Sequence, residues 1–362
     1  MKLDAWGSVN VDEYDHVFKE FGLSEFNDFG LIDHYLFRRK IIVAHRDFEK
    51  IKKAILNKST FIQLTGIASS GDLHFGHKLD VDFFKVFNEA GAKSKFCVCD
   101  IDAYVSRPDD KVPSMKTAKE TAVRNVADII ALGVKPEDIY VQSQKDKEYF
   151  QFCFEVSKKI TKNAFEAIYG HIDLGKMAAV FLQIGDILHI QLPYMFGKNP
   201  SITGIGLEQD PHARITRDVA ARMEYDFEKP SFFYFQHQSG LKQGKKMSKS
   251  EPDTAIFLND TEEEVKRKMN NAFTGGKISL KEQREKGGNP DICKIYELLR
   301  FHYPDDDLLE ETYQQCKKGK ILCGECKQKC INFLITFLKE HKEKYEKALP
   351  IANKLVYGTN KL

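Results

Sequence analysis

Two stretches of this chain carry residue types that can handle phosphate. The first runs from Thr65 through Gly66, Ser69, Ser70 and Gly71 to His74-Phe75-Gly76-His77. Two histidines three apart on the first turn of a helix point the same way and can donate to phosphate oxygens. A helix N-terminus adds unpaired N–H groups and partial positive charge, which suit an anion. Gly76 lets another group pack close to the backbone. The second stretch, 240–250, holds Lys242, Lys245, Lys246 and Lys249 with Gly240 and Gly244. It reads as a mobile basic loop, and lysine is a compact point charge suited to a phosphate whose charge changes during reaction. Alone, each has an ordinary reading: a helix cap for the histidines, a solvated surface for the lysines.

Cysteines form a third constellation. Cys293 and Cys316 have 22 residues between them, Cys316 and Cys323 six, and Cys323 and Cys326 two. Four thiolates ending in Cys-x-x-Cys can ligate Zn²⁺ tetrahedrally or hold a [4Fe–4S] cluster. Unliganded thiols are the third reading. Cys330, four beyond Cys326 on the same helix face, is a spare ligand. Cys97, Cys99 and Cys153 sit in apolar surroundings and read as small buried hydrophobes. Two carboxylates also stand out. Asp186 lies inside an apolar run, where it needs a partner. Asp102 follows a strand pattern directly.

The elements that position these groups alternate. Residues 60–66 and 95–101 read as strands, 76–91 as a helix with a Leu79, Phe83, Phe84, Phe87 stripe, 114–132 as a helix ended by Gly133, and 138–142 as a third strand. Strand–helix–strand repetition implies βαβ units: an α/β, Rossmann-like parallel sheet with helices on both faces. Beyond residue 256 the pattern is all-α. Thr261 with Glu264 and Ser279 with Glu282 are capping boxes, Gly287, Gly288 and Gly319 read as stops, and 325–348 is one long helix before Pro350. The expected division is an N-terminal segment 1–55, a Rossmann catalytic domain 56–256 and a helical domain 257–362.

Composition narrows the class. The chain has 362 residues, 42% apolar and 30% charged, with a net charge of +2. That is globular, and too balanced to bind nucleic acid by bulk charge. The most apolar stretch, 177–192, is broken by Gln183, Asp186 and His189, so no membrane span is expected. The acidic, polar start does not read as a signal peptide. A cytoplasmic protein with its eight cysteines reduced or metal-bound is expected.

Together, His74-Phe75-Gly76-His77 and Lys246-Met247-Ser248-Lys249-Ser250 resemble the paired signatures of class I aminoacyl-tRNA synthetases, separated by a Rossmann-sized span. The segment 206–218, with Glu208 where an Asp is usual, and the segments 246–258, 272–276 and 287–290 extend the likeness. Over nearly the whole chain it is similar to the tryptophanyl-tRNA synthetases of archaeal and eukaryotic type. That resemblance implies activation of tryptophan by ATP to tryptophanyl-adenylate and pyrophosphate, then transfer to the 3′ end of tRNA(Trp). It implies Mg²⁺ and a homodimer. His74, His77, Lys246 and Lys249 would act on the phosphates, and Gly66, Ser69, Ser70, Gly76, Met247 and Ser248 would line ATP. Asp102, Gln183, Asp186 and Gln209 would face tryptophan. Asp186 matches the indole acceptor of bacterial tryptophan enzymes, and tyrosine enzymes carry an Asp there too. Asp102 sits where the eukaryotic enzymes place a Glu. The four cysteines resemble an iron–sulfur site in the anticodon-binding part of some members, where Lys317, Lys318, Lys320, Lys327 and Lys329 can grip RNA. The rivals are tyrosyl-tRNA synthetase, a non-aminoacylating RNA-binding paralogue and a small-molecule adenylyltransferase. Leu64, which offers no hydroxyl where tyrosine enzymes place a Tyr, argues against the first.

Overall fold

The structure is a computed structural model that describes residues 18, 21–170, 173–244, 247–249 and 251–358. A seven-stranded sheet forms its centre. The strands are β1 (Ser24–Glu25), β2 (Ile42–Arg46), β3 (Phe61–Ala68), β4 (Ala92–Cys99), β5 (Ile139–Val141), β6 (Ser201–Gly206) and β7 (Ser231–Phe235), in the order β1-β2-β7-β6-β3-β4-β5. From β7 to β5 every neighbouring pair is parallel. The three expected strands are β3, β4, which ends at Cys99 because Asp100 opens a helix, and β5; β6 and β7, not read from the sequence, extend the parallel part. The N-terminal segment supplies β1 and β2, which pair antiparallel and extend the sheet beyond β7.

The helices used below are α1 (Phe75–Glu89), α2 (Asp100–Ser106), α3 (Met115–Ala131), α4 (Lys147–Lys158), α5 (Leu174–His189), α6 (Asp210–Arg222), α7 (Glu262–Asn270), α8 (Leu280–Lys286), α9 (Lys294–His302), α10 (Asp306–Lys317) and α11 (Cys323–Tyr357). The period of two along β4 sorts its side chains. Phe96 and Val98 join one core with Val126 of α3 and Ile331, Leu334 and Val356 of α11. Cys97 turns the other way, to Ile62, Leu64 and Ile187. Helices therefore cover both faces, and the first of these cores runs without a break from the sheet into the C-terminal helices.

Caps set many of the ends. Ser114 accepts the Thr117 N–H, Thr261 and Glu264 close a reciprocal box on α7, and Ser279 accepts the Glu282 N–H at α8. Pro350 does not stop the last helix. α11 runs 35 residues and carries Pro350 inside it. The ring removes one hydrogen bond and crowds the preceding turn. Burial of Ala348, Ala352 and Val356 on either side of it holds the helix together. Among the described residues no helix is long and apolar enough to cross a membrane.

Candidate active site

A cavity of about 450 Å³ opens at the C-terminal ends of β3, β4 and β6, the place where open α/β sheets bind ligands. Its walls carry both phosphate-handling stretches and the acidic candidates.

His74 caps α1. Its Nδ1 accepts the Gly76 N–H at 3.1 Å, and His77 Nδ1 accepts the His74 N–H at 3.2 Å. The ordinary reading of the pair, a helix cap, is therefore correct, and it does not compete with the chemical one. With Nδ1 accepting, each neutral ring carries its proton on Nε2. Burial, reinforced by the Lys249 charge, pushes His74 down to about 3. Burial and the adjoining His74 ring push His77 well below the ordinary histidine value. Both stay neutral. The ring centroids lie 3.9 Å apart, and both residues line the cavity. Gly76 makes this possible, because a Cβ there would stand 2.9 Å from the His74 ring.

The two motifs meet physically. The Phe75 N–H donates to the Ile256 carbonyl, and the Leu258 N–H donates to the Leu73 carbonyl. These bonds tie the start of α1 to the segment that follows the lysine loop. Lys249 folds over Gly71 and donates from Nζ to its carbonyl at 3.1 Å. Burial, with Arg107 adding a like charge, lowers Lys249 to about 8. Gly66, Ser70, Met247 and Ser248 line the same cavity. Ser69 sits behind it, donating its N–H to the Cys99 carbonyl, and Gly76 seats the His74 ring. Lys246 lies outside the described residues.

The other end of the cavity is built around Asp186. Its Oδ1 accepts from the hydroxyls of Tyr140 and Tyr149, each at 2.7 Å, and its Oδ2 accepts from Gln142 Nε2 at 2.6 Å. Burial raises its pKa, and these donors oppose the rise. Asp102 stands nearby and accepts from the Ser106 hydroxyl at 3.1 Å. Burial raises it to about 6, against the pull of Arg107. Gln183, Gln209 and Leu64 line the same cavity.

Three residues behind the cavity wall carried no motif. Tyr140, Gln142 and Tyr149 come from three separate elements, and only the Asp186 they converge on signalled them. His212 accepts or donates to the Tyr169 hydroxyl at 2.7 Å. His237 and Glu208 pair at 2.8 Å on the rim, beside Asp80, which burial raises to about 7. Cys97 and Cys99 are not merely core hydrophobes, since both line the cavity.

A second, smaller and mainly apolar cavity is lined by Cys293, Cys316, Cys323 and Cys326. The four cysteines come together as the spacing suggested. Glycines make room for them: a Cβ on Gly276 would lie 2.5 Å from Cys323 Sγ, and one on Gly288 2.9 Å from Cys316 Sγ. Cys330 is fully buried in the main core and does not line this cavity. Of the nearby lysines, Lys317 pairs with Asp291 at 3.7 Å and Lys327 donates to the Asn270 carbonyl.

The chain was compared with known proteins. The family model of tRNA synthetases class I (W and Y) matches residues 56–339. Tryptophan–tRNA ligase from Aeropyrum pernix is 40% identical, with 98% of each chain covered. The ligase of that name from Methanocaldococcus jannaschii is 38% identical, with 99% of each covered. The crystal structure of the A. pernix tryptophanyl-tRNA synthetase superposes with a TM-score of 0.88 over 98% of both chains. The Plasmodium falciparum tryptophanyl-tRNA synthetase, 28% identical, gives 0.82 over 94% of both. A likeness that spans both cavities and the helices between them settles the assignment: this chain belongs to the tryptophanyl-tRNA synthetases, class I aminoacyl-tRNA ligases.

Proposed function

We propose that the large cavity carries out tryptophan activation, with the histidine–lysine end on the ATP phosphates and the Asp186 end on the indole. The observation that carries this is the meeting of both phosphate stretches on one cavity at the strand ends. His74 and His77 donate from Nε2 to phosphate oxygens. Lys249, with Lys246 assigned by motif alone, stabilises charge as it develops on the leaving pyrophosphate. ATP enters as its magnesium complex, the ion counted with the substrate. The tryptophan carboxylate attacks the α-phosphorus, and no side chain acts as nucleophile. Positioning and charge stabilisation do the work. Gly66 and Ser70 line the nucleotide, and Gln183 and Gln209 face the amino acid's amine and carboxylate.

Asp186 takes the indole N–H in this reading. Oδ1 holds two donors and Oδ2 one. A carboxylate oxygen has two lone pairs, so one acceptor place on Oδ2 is left for the single indole donor. The Cys97 thiol also bonds this carboxylate, but it is a weak donor that a ligand displaces. Tyrosine would have to be refused by the Leu64 wall, which gives its ring no hydroxyl partner. Amino-acid-dependent ATP–pyrophosphate exchange tests the whole reading. Exchange with tryptophan and not tyrosine is expected; exchange with tyrosine would sink the Leu64 argument, and exchange with neither would sink the site.

The four cysteines are proposed to hold a [4Fe–4S] cluster. Around one zinc ion, four thiolates stand about 3.8 Å apart, given Zn–S bonds of about 2.3 Å. No three of these sulfurs lie within 4.8 Å of one another, a spread that favours the larger cluster. Bound there, a cluster would staple Cys293 and α10 to the start of α11. Anaerobically purified protein should absorb broadly in the visible; a colourless, iron-free sample would remove the cluster. Residues 257–362 would engage the anticodon arm of tRNA(Trp), in a cytoplasmic homodimer.

A further inference from the structure

Cys97 and Cys99 play no part in the chemistry above, yet they sit inside the cavity that performs it. They are same-face neighbours at the end of β4, with sulfurs 3.2 Å apart. Their sulfurs and a carboxylate oxygen of Asp186 all lie within 4.8 Å of one another, which among the described residues is true of no other such trio. Gly66 stands opposite Cys97 in the β3–β4 ladder. A Cβ there would come within 3.3 Å of Cys97 Cβ and 3.4 Å of Cys99 Sγ. With glycine at that position, the sulfurs are left open to the cavity.

Two chemistries suit a close thiol pair, a disulfide or a shared metal ion. The strand disfavours the disulfide. Same-face neighbours on a strand have Cα atoms about 6.6 Å apart and side chains that project in parallel, so their Cβ atoms stand about as far apart, whereas a disulfide needs Cβ atoms about 3.8 Å apart. β4 is pinned in register by β3 through Cys99 and by β5 through Val98, so it cannot pucker to close that gap. Chelation asks less, since two thiolates on one tetrahedral ion stand about 3.8 Å apart. Asp186 is already prepared as a ligand. Ligating carboxylates are themselves held by hydrogen bonds, and Tyr140, Tyr149 and Gln142 hold this one.

We propose that Cys97, Cys99 and Asp186 bind a thiophilic divalent ion of the zinc–cadmium class on the cavity wall, and that this ion and the amino acid exclude one another. The exclusion rests on Asp186 being the amino acid's acceptor. On binding, both thiols release their protons to solvent, and two thiolates and one carboxylate face the ion. The fourth position opens to the cavity. Hard ions such as Mg²⁺ are poorly served by sulfur, so the magnesium that accompanies ATP does not compete.

The test is a cadmium titration of the reduced, full-length protein as purified, read by the ultraviolet thiolate-to-metal charge-transfer band. The parent is compared with Cys97→Ser and with the double variant Cys97→Ala/Cys99→Ala. The four-cysteine corner is common to all three and subtracts out. About one further equivalent of cadmium is expected in the parent, absent from both variants and abolished by saturating tryptophan. In the exchange assay cadmium should raise the KM for tryptophan and leave kcat unchanged. Equal uptake by parent and variants overturns the proposal, and so does an extra equivalent indifferent to tryptophan. Thermal midpoints establish that the variants are folded; should the double variant fail to fold, the near-isosteric Cys97→Ser carries the comparison. Failure of the tryptophan pocket itself shows separately, as absence of tryptophan-dependent exchange before cadmium is added.

Discussion

The two ends of the large cavity are built in opposite ways. At the Asp186 end, β5, α4 and the turn 142–144 each send one donor to a single buried carboxylate. At the histidine–lysine end, two neutral histidines are fixed by a helix cap, and a lysine lowered to about 8 rests on a backbone carbonyl. Recognition of a rigid ring calls for an acceptor that does not move, and a convergent net supplies one. Phosphoryl chemistry calls for donors that meet charge as it develops. Neutral N–H groups suit that need, and one amine lowered to about 8 is the charge beside them.

This contrast is sharpest in the kinetic parameter that each end controls. Replacing Lys249 with Ala should slow adenylate formation by about 10²–10³, the usual loss for one charge-stabilising donor, and leave the KM for tryptophan nearly unchanged in pre-steady-state and exchange assays. Equal loss in both parameters would erase the distinction between the ends. Replacing Asp186 with Asn should act in the other parameter. It turns an acceptor toward donors and forfeits a charged hydrogen bond of about 1.5–3 kcal/mol, so the KM for tryptophan should rise about 10- to 150-fold. The smallest effect is expected from pH. Lysine is charged below its pKa, so raising pH through about 8 discharges Lys249 in the free enzyme. Between about pH 7.5 and about pH 8.5, kcat/KM for ATP should fall about threefold. Lys249→Arg, which cannot be deprotonated, should abolish that fall. A fall that persists belongs to another group.

Local patterns announced most of what positions the phosphate end. The strand–loop–helix run through His74, the boxes at Thr261 and Ser279 and the alternation along β4 are all written in neighbouring residues. The contacts that the sequence hid are long-range ones. β2 meets β7 across some 190 positions, and a five-residue strand leaves no signal of which edge it will join. Tyr140 and Tyr149 looked like ordinary apolar positions until Asp186 gave their hydroxyls a reason. Pro350 misled because its local cost is plain to read, whereas the burial of Ala348, Ala352 and Val356 against α3 is not. Cys97 and Cys99 misled for the same reason: apolar neighbours in sequence did not reveal a cavity on one face of the strand.

The uninterrupted passage of α11 through Pro350 has one more consequence. At 1.5 Å per residue its 35 residues measure about 52 Å. Its first turn holds Cys323 and Cys326, and its far end packs on the turn 142–144, where Gln142 grips Asp186. One continuous helix thus joins the cysteine corner to the Asp186 end of the large cavity, with the buried Asp128–His341 pair at 2.9 Å pinning its middle to α3. Buried residues all along this rod, from Ile331 and Leu334 to Ala352 and Val356, seat it in the same core as Phe96 and Val98 of β4, so the two corners are parts of one packed unit.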